Sequence, residues 1–133
     1  MRHRWLLPIL AVVVTALPMS AQKGADSNVV MPAGTYVIAA RDTAKAKDIA
    51  VLGWAFVVKG TTWTMSDPTG LTFSGTMVQK NGTMTVTSQD CGDPGVYLVK
   101  RQGDGYVWDM QSEKCTGRDS GFVVLLFRPK TKK

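Results

Sequence analysis

From Thr35 onward, apolar and polar residues alternate in short runs, and nearly every run stops at glycine, proline or an Asn/Asp turn. Alternation at period two is the signature of strands with one buried face. The first run is Thr35 to Ala40, and the second, Trp54 to Lys59, sets Trp54, Phe56 and Val58 on one face. Thr61 to Ser66 follows, with Trp63 and Met65 opposite Thr62 and Thr64, and then the turn Asp67-Pro68-Thr69-Gly70. Leu71 to Gln79 alternates Leu71, Phe73, Gly75 and Met77 with threonines and serine. Lys80-Asn81-Gly82 is a hairpin signal, and Thr83 to Ser88 turns Met84 and Val86 inward. Val96 to Arg101, Tyr106 to Gln111 and Phe122 to Arg128 complete eight candidate strands. Between the first two runs, Asp42 to Ala50 fits one or two helical turns or a solvated loop. Turn signals every 8 to 12 residues and no long helix predict an all-β antiparallel barrel or sandwich.

The cysteines sharpen this picture. Cys91 and Cys115 lie twelve residues either side of Gly103 in the turn Gln102-Gly103-Asp104. Folding back there opposes Leu98 to Trp108 and Val96 to Met110 on one face, with Val99 to Val107 and Tyr97 to Asp109 on the other. The sulfurs then meet across the open end of the hairpin, which predicts a structural disulfide in an exported protein. The short spacing argues against an immunoglobulin sandwich, whose bridge spans much more chain.

Export is expected from the beginning of the chain. Met1-Arg2-His3-Arg4 precedes an apolar run from Trp5 to Leu17, and Pro18-Met19-Ser20-Ala21 supplies small residues before Gln22. Basic, apolar and small-residue regions in that order make residues 1–21 a cleavable signal peptide, too short to span a bilayer. No cysteine lies near the cleavage site, so the mature protein is expected to be periplasmic or secreted, not a lipoprotein and without stable membrane insertion. Residues 22–32 read as a flexible N-terminal segment, 33–128 as the folded domain and 129–133 as a basic tail. The leader holds two of the sixteen Lys and Arg residues and no acidic residue, so the mature chain has a formal net charge of +4. A basic tail explains part of that excess better than a nucleic-acid footprint does.

Cleavage also removes His3, the only histidine. Ser-His and Cys-His nucleophilic schemes are then closed to the mature chain, and so is the commonest zinc ligand. Glu113 is the only glutamate, and the aspartates are scattered singly, so no carboxylate pair is nominated. The expectation is a protein that is not an enzyme and that has no cofactor and no metal.

Certain residues resemble a family. Gly34-Thr35-Tyr36 opens the first strand as the Gly-x-Trp of lipocalins does, with tyrosine in place of tryptophan. Asp90-Cys91, Gly95-Val96-Tyr97, Tyr106-Val107-Trp108 and Cys115-Thr116-Gly117-Arg118 together resemble the C-terminal half of small bacterial lipocalin-like proteins of the calycin superfamily. The resemblance runs from Gly34 to about Arg128. It implies an up-and-down, eight-stranded antiparallel barrel, with Arg118 or Arg128 packed over Tyr36 at the closed end.

The inward positions expected for such a barrel are Trp54, Phe56, Trp63, Met65, Phe73, Met77, Met84, Trp108 and Met110. Methionine among aromatics makes an adaptable apolar lining, which suits a pocket for a small hydrophobic molecule. An eight-stranded barrel is also narrow enough for side chains to fill. A filled barrel instead favours a protein-binding or inhibitory module working through its loops, with Asp42 to Ala50, Cys91 to Gly95 and Cys115 to Ser120 as candidates. Cavity volume discriminates the two.

Overall fold

The computed structural model describes residues 29–131, so the expected signal peptide lies outside the described residues. Eight antiparallel strands close into an up-and-down barrel in sequence order: β1 (Gly34–Ala40), β2 (Ala55–Lys59), β3 (Thr62–Ser66), β4 (Thr72–Lys80), β5 (Thr83–Ser88), β6 (Cys91–Gln102), β7 (Gly105–Ser112) and β8 (Leu125–Pro129). β1 pairs with both β2 and β8, which closes the cylinder. The β7–β8 seam is the thinnest, with Tyr106↔Phe127 its one register pair. The all-β barrel expected from the strand pattern and the family resemblance is therefore present.

Chain direction divides the barrel into two poles. The β2–β3, β4–β5 and β6–β7 turns lie at one, together with the start of β1 and the end of β8. The other pole collects the long connections. The segment after β1 forms a 3₁₀ helix, Thr43–Asp48, whose first turn is capped by the Asp42 carboxylate accepting from the Ala44 N–H at 3.1 Å. The 113–124 segment contains one α turn, Arg118–Gly121, and a 3₁₀ turn, Phe122–Val124, so the eighth strand begins at Leu125 rather than Phe122.

Aromatic rings fill the middle of the cylinder. Phe56, Tyr97, Trp108 and Phe127 are completely or almost completely buried. Phe56 and Trp108 each approach Phe127 with ring centroids 4.7 Å apart. Met77 and Met84 are buried in the same core. Among the described residues, the Trp108 Nε1 is a buried polar atom without a hydrogen-bond partner, enclosed by these rings.

Residues 29–32, expected to be flexible, are packed under the first pole. Met31 is buried in the core, and its backbone N–H and carbonyl both pair with the Gln79 side chain, at 2.7 and 2.8 Å. Tyr36 donates its hydroxyl to the Pro32 carbonyl. The polar sequence of the preceding residues concealed this, because the short run Val29-Val30-Met31 makes no periodic pattern.

The β6–β7 register also differs by one residue from that expected. The loop holds two residues, Gly103 and Asp104, and pairs Gln102 with Gly105, Val99 with Trp108, and Tyr97 with Met110. Gly103 adopts φ 61°, the left-handed conformation that a tight two-residue turn requires. Tyr97 and Val99 consequently face inward in place of Val96 and Leu98. Met110, expected inside, is 48% exposed beside the register shift between Val96 and Tyr97.

A capped cavity and a buried ion pair as the candidate functional site

The long-connection pole contains an open cavity of about 200 Å³. Its apolar wall includes Trp63 and Met65 of β3, Phe73 of β4, Phe122 of the 113–124 segment and Leu125 at the start of β8. Period-two patterning places the first three, because Met65 and Phe73 are register partners and Trp63 lies two residues before Met65. Phe122 is set by the cap, where it meets Trp63 at 5.6 Å and Trp108 at 4.7 Å.

Trp63, Met65 and Phe73 are therefore brought together as expected, although Phe73 is 42% exposed at the rim. Trp54 is half-buried and stacks on Phe73 at 6.1 Å, outside the lining itself. Phe56, Met77, Met84 and Trp108 are core residues that do not line the cavity. Their burial follows from strand phase, and the Phe56 and Trp108 rings pack against each other and against Phe127.

Trp63 is fixed by an unusual reach across a strand. Its register partner on β4 is Gly75, and its Nε1 donates over that glycine to the Thr87 carbonyl of β5 at 3.0 Å. A side chain at position 75 would overlap both the Thr87 carbonyl oxygen and the indole nitrogen.

The polar side of the cavity is built on Arg118, whose side chain is 6% exposed, against the fully buried carboxylate of Glu113. The two pair side-on: Nε donates to Oε2 at 2.7 Å and Nη2 to Oε1 at 2.8 Å. Nη1 donates to Ser88 Oγ at 3.0 Å and to the Cys91 carbonyl at 3.2 Å, while Nη2 also reaches the Asp93 carbonyl. Glu113 further accepts from the Tyr97 hydroxyl at 2.5 Å and from the Cys115 N–H at 3.0 Å. Burial alone would push the Glu113 carboxyl up, but the hydrogen bonds from Arg118 and Tyr97 outweigh it and hold the group at about 2. Burial, and then the bond to Glu113, push the Tyr97 hydroxyl above its ordinary range.

The Cys91–Cys115 disulfide expected from the spacing closes this network, with Cα atoms 6.1 Å apart. Asp93 lies near both sulfurs, but sulfurs joined to one another offer no thiolate to a metal.

Neither arginine proposed to cover Tyr36 does so. Arg118 is committed to Glu113 at the other pole, and Arg128 is exposed, 3.9 Å from Asp104. Tyr36 instead meets the edge of Tyr106 at 6.0 Å, and Arg101 lies over the Tyr106 ring. Sequence reasoning missed the Glu113–Arg118 pair. Its signal was that the one glutamate of the chain and an arginine flank Cys115, two residues before it and three after.

Comparison with known proteins found no matching family model, no matching curated protein and no matching solved structure. Among the described residues, no helix is long and apolar enough to cross a membrane.

Proposed function

We propose that this protein is an exported small barrel that binds a small, largely apolar molecule in the cavity at its long-connection pole. The observation that carries the reading is the unfilled volume of about 200 Å³ against the aromatic and methionine wall. That volume exceeds the roughly 150 Å³ that accepts benzene and lies below the range of about 300–1,000 Å³ usual for larger ligands. A single ring or short branched chain is the appropriate scale; a retinoid, tetrapyrrole or long fatty acid exceeds it. The filled middle of the barrel favours a second reading, a protein-binding module working through the exposed loops at the same pole.

Titrating the purified protein with single-ring apolar compounds, while following the Trp63 indole N–H and the Met65 methyl by NMR, separates the two. Saturable shifts confined to the cavity are expected, and Met65→Gln should weaken binding about fivefold or more by placing an amide in the wall. Absence of any shift at millimolar ligand would overturn the small-molecule reading and leave the loop module.

A further inference from the structure

An arginine in the wall of a lipophilic cavity ordinarily suggests a carboxylate ligand. Here the guanidinium is occupied. All five of its N–H donors are directed at Glu113, Ser88, Cys91 and Asp93, so no donor remains for an incoming anion. Its charge is balanced by the Glu113 carboxylate, which is itself saturated by four hydrogen bonds. The other ionisable group in the lining is Asp90, exposed at the rim. Arg118 is stabilised in its charged form first by Glu113, and Asp90 adds to the same effect. Two carboxylates therefore act around one guanidinium, which leaves an excess negative charge beside Trp63, Phe73 and Phe122. Aromatic ring surface next to a carboxylate is a setting that attracts organic cations.

We infer that the cavity prefers a small amine, with its apolar body against the aromatic wall and its ammonium group at the Asp90 rim. This rests on the proposed small-molecule function and specifies its ligand chemistry. The preference is opposite to the one that the positive net charge of the whole chain would impose.

Three probes with the same ring test it: benzylamine, benzyl alcohol and phenylacetate, titrated at pH 7 with the Trp63 indole N–H as readout. Benzylamine should bind at least about threefold more tightly than benzyl alcohol, with phenylacetate weakest. Asp90→Asn should bring the amine to the level of the alcohol while leaving the alcohol unchanged, which also reports an intact cavity. Any order not led by the amine, or an Asp90→Asn effect equal on all three probes, overturns the inference while the binding function stands. No response to any probe overturns both.

Discussion

Glu113 shows how one side chain can organise a pole of the molecule. A buried carboxylate survives there because four donors converge on it, and the same donors hold it at about 2, against an ordinary value of 4.5. A depressed carboxyl contributes stability that is complete above the unfolded-state value and is lost as pH falls from 4.5 toward 2. Urea unfolding followed over that interval should show a loss of about 1–3 kcal/mol attributable to this group. Glu113→Gln should remove that component. At pH 7 the same variant should cost about 3 kcal/mol, because it leaves Arg118 charged, buried and without a counter-ion. Trp63, Met65 and Phe73 were legible in the sequence because strand alternation alone sets their phase. The Glu113–Arg118 pair was not, because partners in a non-repeating segment obey no period. The cover for Tyr36 that the family resemblance implied, Arg118 or Arg128, failed for a different reason: Arg118 is held by Glu113 at the other pole, and Arg128 is exposed near Asp104.

Among the elements, β4 is instructive because what it lacks matters most. Gly75 lets the Trp63 side chain cross to β5, joining three consecutive strands through one hydrogen bond beyond the backbone ladder. Gly75→Ala should destabilise the protein by about 2–4 kcal/mol, since the added methyl must displace either the Thr87 carbonyl or the indole. Chemical denaturation checks this, and tryptophan emission of the folded variant should shift to the red if the indole is the group that moves. Six of the eight strands were legible nearly to their ends, whereas β6 was drawn five residues short, because Cys91 to Gly95, with its glycines and proline, reads as a loop but belongs to the strand. The eighth was drawn too long, because Phe122, Val123 and Val124 have strand-like composition but are held as a 3₁₀ turn under the cap. The one-residue error in the β6–β7 register had a different source. A Gly-Asp loop can be drawn with two or three residues, and only packing of Tyr97 and Val99 against Trp108 and Phe127 decides between them.

For the molecule as a whole, the two poles are finished by different means. One is sealed by Met31 and Val29, and the other carries a cap tied down through Cys91–Cys115 beside the cavity mouth. Closing that loop restrains the unfolded chain, and replacing both cysteines with alanine should lower stability by about 3 kcal/mol. Native-state hydrogen exchange of the same variant should locate the weakening: amides of residues 113–124 should lose protection before those of β2 to β5. Uniform loss across the barrel would show that the bridge acts on the cylinder and not on its cap. The polarity of the barrel has a practical outcome as well. Residues 29 and 131 leave the fold at the pole sealed by Met31, and the cavity opens at the other. A protein immobilised at residue 29 or residue 131 on a sensor surface therefore presents its mouth away from that surface.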